Sequence, residues 1–142
     1  MNKTRNNSKQ REEVLKVLRA SKAHPSAREI HEQVKPKIPG IALGTVYRNI
    51  KVCREDGTVA SVGVVNNEER FDGVIEPHPH AVCTRCSKII DVQKLPIAAA
   101  MRLGSFVVDA RRTIFYGICA DCQRKTNNRL VHLLRSRLDN NN

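Results

Sequence analysis

The sequence predicts an α+β chain of two small modules: three helices with a two-stranded wing over residues 1–72, then a compact α/β module over residues 73–142. Three observations carry that expectation. Apolar residues recur at helical spacing in three successive segments, short β-rich segments follow them, and two Cys-x-x-Cys pairs in the second half must be brought together.

The first helix is expected from Lys9 to Ala20, where Val14, Val17 and Leu18 form one stripe. Ser26 with Glu29 three residues on has the pattern of a capping box, so a second helix should begin there and stop before Pro36, burying Ala27, Ile30 and Val34. After the Pro39-Gly40 break, a third helix should run from Thr45 to Asp56 and end at Gly57. Val46, Ile50 and Cys53 fall on its inner face, which turns Tyr47, Arg48 and Lys51 outward. Thr58 to Val65, the Asn66-Asn67 turn and Glu68 to Asp72 complete the pattern as a hairpin, giving a winged helix-turn-helix.

In the second half the strand candidates are His80 to Cys83, Ile89 to Val92, Phe106 to Val108 and Thr113 to Ile118. Helices are expected near Leu95 to Leu103 and over Asp121 to Leu138, while the polar ends, Met1 to Ser8 and Asp139 to Asn142, should be loose. The apolar content of this module is thin, with no Trp, two Tyr and three Phe in the whole chain. Pairing with a second copy would bury more surface and cover strand edges, so a homodimer is expected.

Cys83 and Cys86, followed after 32 residues by Cys119 and Cys122, have the spacing of a four-thiolate site. Two intervening residues let the chain turn so that both sulfurs reach one ion about 2.3 Å away. Structural Zn2+ is expected in preference to catalytic dithiols or disulfides. In a module with a small core such an ion contributes about 10 to 16 kcal/mol. The fifth cysteine, Cys53, lies on the inner face of the third helix and reads as buried filler. His31, beside Ile30 and Val34, reads as a packing residue, and His132 carries no assigned role.

Lys and Arg number 25 against 14 Asp and Glu, a formal charge of +11, which four thiolates on one Zn2+ would lower by two to +9. Such an excess favours a polyanion, with nucleic acid first. The basic outer face of the third helix, with Thr45, Tyr47, Arg48 and Lys51, is suited to a major groove. Arg can bridge guanine O6 and N7, Lys can neutralise phosphate, and an aromatic edge can meet a thymine methyl. A dimer would present two such helices to a pseudo-palindromic operator. No stretch approaches the roughly 20 apolar residues that cross a bilayer, the first ten residues are polar, and the cysteine pattern suits reduced thiols, so a cytoplasmic location is expected.

The collinear runs His24-Pro25-Ser26-Ala27, Thr45-Val46-Tyr47-Arg48-Asn49, Arg70-Phe71-Asp72, His78-Pro79-His80 and Tyr116-Gly117-Ile118-Cys119, with Asp121-Cys122, resemble the ferric uptake regulator family over about residues 9–125. The resemblance implies a homodimeric, metal-activated transcriptional repressor with a C-terminal dimerisation domain, and not an enzyme. It also implies a regulatory metal held by His24, Asp72, His78, His80 and Asp91. That donor set is chemically reasonable for Fe2+, Mn2+ or Zn2+, because imidazoles and carboxylates impose no soft-metal preference. His78 and His80 alternate in an extended segment stiffened by Pro77 and Pro79, so both rings should face one side.

Within the family, Asp at both carboxylate positions is similar to the peroxide-sensing repressors, in which bound Fe2+ leads to oxidation of a ligand histidine, here His24 or His80. Arg48 is instead more typical of iron and zinc regulators, which makes an iron-responsive regulator the main alternative, followed by zinc or manganese regulators. Pro77, Pro79 and Arg111 stand where members with an additional metal site carry ligands, so no third site is expected. Ser87 replaces a glycine common after the first cysteine pair. The lead before Gln10-Arg11 is short against some relatives, and with it the helix that carries DNA contacts there. Two readings from other classes fit the sequence less well. A catalytic zinc on His78 and His80 lacks a separate acid or base. A thiol-switch chaperone would release zinc on oxidation without binding DNA.

Overall fold

The computed structural model describes residues 3–93, 102–109 and 112–125, with side chains from residue 9 onward. Helices α1 (Lys3–Ala20), α2 (Ala27–Val34) and α3 (Leu43–Glu55) precede a hairpin of β1 (Ala60–Val65) and β2 (Glu68–Asp72). Then come β3 (His80–Cys83), β4 (Ile89–Asp91), β5 (Arg102–Leu103), β6 (Phe106–Val107), β7 (Ile114–Gly117) and α4 (Ala120–Lys125).

The expected stripes make the first core. Val14, Leu18, Ile30, Val34, Val46, Ile50, Cys53 and Phe71 are all buried in one cluster. Each such aliphatic or aromatic side chain contributes about 1.5 to 3 kcal/mol by leaving water. Ser26 caps α2 through a capping box: its Oγ accepts from Glu29 N at 3.4 Å, and its own N donates to Glu29 Oε2 at 2.7 Å. His31 packs as expected and ties α2 to the next loop, its Nε2 lying 2.8 Å from the Ile41 carbonyl.

Two boundaries differ from expectation here. The segment Met1 to Ser8, expected to be loose, is helical from Lys3, because extending an existing helix adds a hydrogen bond for each residue fixed. Helix α3 begins at Leu43 and not Thr45, since Ala42 is extended and its carbonyl accepts from Thr45 and Val46. The wing turn is as read. Asn66 and Asn67 both have positive φ, 54° and 60°, and join Val65 to Glu68 with the twist that a two-residue hairpin needs.

The second sheet has the order β4-β3-β7, with β3 antiparallel to β4 and parallel to β7. Its apolar cluster is Val82, Ile89 and Ile114 together with Val62 and Val65 of the wing. The wing therefore packs on the second sheet as well as on the helices. At Gly63, an added Cβ would lie 3.3 Å from Ile114 Cδ1.

The helix expected to end at Leu103 is contradicted there. Arg102 and Leu103 form β5, paired with β6 across a tight turn in which Gly104 adopts φ 62°. Residues 94–101 lie outside the described residues, as do 126–142, including most of the expected terminal helix, His132 and the tail; Arg111 also lies outside them. No helix among the described residues is long and apolar enough to cross a membrane.

Gly73 follows β2 where the chain crosses the end of α1. A Cβ there would sit 2.8 Å from the Leu18 carbonyl carbon and 2.9 Å from Arg19 N. Only a glycine permits that approach, so the backbone seats the end of β2 directly against α1.

Candidate functional site

Two clusters of metal-ligating side chains stand out among the described residues. In the first, Cys83 closes β3 while Cys119 follows β7, and the parallel pairing of those strands carries both to the same end of the sheet. Ligand atoms of Cys83, Cys86, Cys119 and Cys122 all lie within 4.8 Å of one another. Cys86 Sγ and Cys119 Sγ are 3.6 Å apart, well beyond a disulfide bond and near the about 3.8 Å edge of a tetrahedron with 2.3 Å metal bonds.

The local backbone serves that geometry. Cys119 N donates to Cys83 Sγ at 3.3 Å, and Ser87 N donates to the Cys83 carbonyl at 2.9 Å. Ser87 adopts φ 60°, which explains why glycine is common at that place in the resemblance. Lys88 Nζ reaches Asp121 Oδ2 at 3.0 Å and braces the two cysteine pairs. Backbone N–H groups of Cys119 and Cys86 lower the Cys83 thiol to about 6, while the neighbouring thiols, Cys86 first, push Cys122 up to about 12. One thiolate forms readily and opposes the next, a conflict that a divalent cation resolves. The cluster fits a structural Zn2+.

The second cluster draws on the helical segment, the wing and the second sheet. His24 lies between α1 and α2, and Asp72 ends β2. Phe71 N donates to the Pro25 carbonyl at 3.2 Å and Ser26 bridges Arg70, which sets the His24 segment beside Asp72. Arg70 Nη1 also meets Glu29 Oε2 at 2.7 Å, so the capping glutamate fastens α2 to β2. His78, His80 and Asp91 come from the second module, with His80 directly opposite Asp91 in the β3–β4 ladder.

All five converge. His24, His78 and His80 place Nε2 at 3.9, 3.1 and 3.4 Å from Asp72 Oδ2. The same atoms lie 2.7, 3.2 and 3.7 Å from Asp91 Oδ1. The His24 and His80 rings meet edge to face at 4.9 Å, and those of His78 and His80 are 4.5 Å apart, as expected for alternating residues of one extended segment.

Burial lowers the His24 pKa, more strongly than Asp91 and Asp72 raise it, and so favours the neutral ring. Burial would raise the Asp72 carboxyl, but hydrogen bonds from His80 and from Val74 N hold it below its ordinary value. A neutral imidazole beside buried carboxylate calls for a cation. Nδ1 of His24 and of His80 is buried with no hydrogen-bond partner, and His24 adopts a left-handed φ of 52°. Such costs are found where a site dictates the geometry. The imidazole and carboxylate set, without thiolate, fits Fe2+ or Mn2+.

On α3, Val46, Ile50 and Cys53 are buried, and burial raises the Cys53 thiol. The expected DNA-facing residues lie on the other side: Tyr47 is half exposed, Arg48 and Lys51 are exposed, and Thr45 is partly buried. Asn49 turns inward, its Nδ2 donating to the Thr45 carbonyl at 3.0 Å.

The model of the Ferric uptake regulator family matches residues 2–103. The chain belongs to the ferric uptake regulator family. A relative, the peroxide-responsive repressor PerR of Staphylococcus saprophyticus, is 35% identical over 120 residues, covering 82% of this chain and 81% of the relative. The fold is similar to that of the Helicobacter pylori ferric uptake regulator Fur, with a TM-score of 0.65, 26% identity and coverage of 86% of this chain and 87% of that one. It is also similar to the Campylobacter jejuni peroxide stress regulator, with a TM-score of 0.56 and 37% identity over 61% of this chain and 64% of that one. Members of the family are regulators of transcription.

Several residues that shape the site were not singled out in the sequence. Glu69 Oε1 accepts from Arg54 Nη1 at 3.0 Å and from Ser61 Oγ at 2.7 Å, joining α3 to the wing. Glu29 was legible as a cap, but its pairing with Arg70, 41 positions away, was not. Nothing local announces such long-range partners.

Proposed function

We propose that this chain is a dimeric, metal-dependent repressor that binds operator DNA in the cytoplasm and senses peroxide through its regulatory metal. The observation that carries the reading is the five-donor cluster, with Asp at both carboxylate positions and ligands drawn from both modules. The module boundary is placed at Asp72–Gly73, the four cysteines hold structural Zn2+, and Thr45, Tyr47, Arg48 and Lys51 face the DNA.

One ion held by His24 and Asp72 on one side and by His78, His80 and Asp91 on the other fixes the angle between modules. The DNA-competent arrangement binds the ion more tightly than an open one, and the population shifts by that difference. When Fe2+ is bound it supplies the redox chemistry that cleaves the peroxide O–O bond. In the net step one oxygen atom goes to a ring carbon of a ligand histidine and the other leaves as water. The modified ring no longer serves as a donor, and the DNA is released.

The test is operator binding by the Fe2+ and Mn2+ forms under anaerobic conditions, before and after stoichiometric H2O2, with mass spectrometry of each ligand peptide. Loss of binding in the iron form alone, with one added oxygen on a histidine peptide, is the expected result. Metal-dependent binding that ignores peroxide would support the second reading, an iron-responsive regulator, to which the identity of Arg48 in the resemblance points.

A further inference from the structure

Three of the regulatory donors are set deep, His24 at 1% exposure and Asp72 and His80 at 4%, while the His78 and Asp91 side chains are 15% and 19% exposed. An open cavity of about 20 Å³ touches three of the donors, lined by Asp72, His78 and His80 together with Ser61, Val74 and Ile75. About 10 to 15 Å³ is what one water needs, so this space holds one very small polar molecule, and a branched carbon group enters only where the half-exposed Val74 and Ile75 side chains move aside.

The wall is held in place by the donors themselves. Val74 N donates to Asp72 Oδ1 at 2.8 Å, and His78 Nδ1 pairs with the Glu76 carbonyl at 2.7 Å, so the span is pinned to a ligand residue at each end. Ser61 Oγ is fixed by donating to Glu69 and turns its accepting lone pairs elsewhere. Val74 and Ile75 themselves are 46% and 56% exposed, so they bear little of the core.

We propose that the Val74–Ile75 span is a size filter over the regulatory site, admitting hydrogen peroxide and turning away hydroperoxides that carry a branched or aromatic group. The inference rests on the peroxide reading above and deepens it by naming the substrate class. Both kinds of oxidant transfer one oxygen from the same kind of O–O bond, leaving water in one case and an alcohol in the other. The discrimination is therefore steric.

The test uses the full, zinc-replete chain loaded with Fe2+ and follows the oxygen gained by histidine peptides with H2O2 or tert-butyl hydroperoxide. Both rates are normalised to those at which the two oxidants consume a solvent-open Fe2+ chelate. The protein should prefer H2O2 by at least about tenfold beyond the chelate's own preference, as a pocket that rejects extra carbon does. In the Val74→Ala, Ile75→Ala double variant that preference should collapse toward the chelate's, with the H2O2 rate held within about twofold, since both side chains are surface residues. A metal-independent arm acylates the protein lacking the regulatory ion with diethyl pyrocarbonate. His80 should react faster in the double variant, while His31 serves as an unchanged internal standard.

A wild-type preference equal to the chelate's, or a double variant that behaves as wild type in both arms, would overturn the filter. If H2O2 leaves the iron-loaded protein unoxidised, it is the peroxide reading that fails. The acylation arm then still decides whether the span screens the histidines.

Discussion

The two donor clusters answer different physical problems. The thiol cluster is assembled around one end of the paired strands β3 and β7, from Cys83, the turn after it, the link beyond β7 and the start of α4, and Cys86 is exposed to solvent. The histidine and aspartate cluster draws on the helical segment, the wing and the second sheet, and is more deeply set, with His24, Asp72 and His80 at 4% exposure or less and the His78 and Asp91 side chains at 15% and 19%. Closing a local loop with soft, charged ligands makes a permanent staple. On the proposed reading, joining two parts of the chain with imidazoles and hard oxygens makes a bond that can be lost without unfolding either part. Where the donors come from, more than which ion they hold, separates a scaffold from a switch.

Removing the staple should have the largest effect. Cys119→Ser, or a chelator that extracts Zn2+, should cost most of the about 10 to 16 kcal/mol that such an ion contributes. It should unfold the β4-β3-β7 module while leaving the helical core intact, as near- and far-ultraviolet circular dichroism would show. A second module that keeps its structure without zinc would erase the contrast.

Next comes the other cluster. His24→Ala should weaken regulatory-ion binding by more than about 100-fold, since even outer partners of ligand histidines are worth about 10 to 100-fold. It should abolish metal-stimulated DNA binding, with zinc content and dimer mass unchanged. Titration calorimetry and gel shift report both. Repression that survives the substitution would refute the idea that the ion locks the two bodies.

A smaller effect is expected at the far end of the switch. Arg48→Ala should weaken binding to the operator by about 1 to 3 kcal/mol if it reads a base. Fluorescence anisotropy against operator and random DNA distinguishes the roles, because an equal loss on both would reduce Arg48 to a phosphate contact.

The smallest is a pH effect that only the sealed cluster should show. The His24 pKa is lowered in the fold below its ordinary 6.5. As pH falls through that ordinary value, the unfolded chain takes up a proton that the folded chain refuses. The ion-free protein should thus be stabilised above about pH 6.5 and lose that contribution toward the lower folded value. Urea melts of wild type and His24→Ala between pH 7.5 and 5.5, with Zn2+ retained on the cysteines, would reveal it as a slope that the variant lacks.

What the sequence disclosed follows the range of each interaction. The capping box at Ser26, the Asn66-Asn67 turn and the inner faces of α2 and α3 depend on neighbours within a turn, and all appear as read. Of the five residues that cluster, His24, Asp72, His78 and His80 sit in recognisable runs whose order resembles one family, whereas Asp91 lies outside those runs and was placed by the resemblance alone. The packing of Val62 and Val65 onto the second sheet and the need for glycine at position 73 were not legible. Both depend on surfaces brought together only by the finished fold. Likewise Arg102 and Leu103 read as the end of a helix until Gly104 and Ser105 are seen to reverse the chain.

The wing's contact with the second sheet limits how the molecule can move. Two bodies joined by a free tether could tumble through many relative orientations, and one ion would have to suppress all of them at a large entropic cost. Val62 and Val65 rest against Val82, Ile89 and Ile114, and Gly73 is seated on the end of α1, contacts that any such rotation would have to break. On the proposed reading, what remains is close to a door on its hinge, with the metal as latch. A door needs only a small latch, so the loss of a single donor would be enough to let it swing.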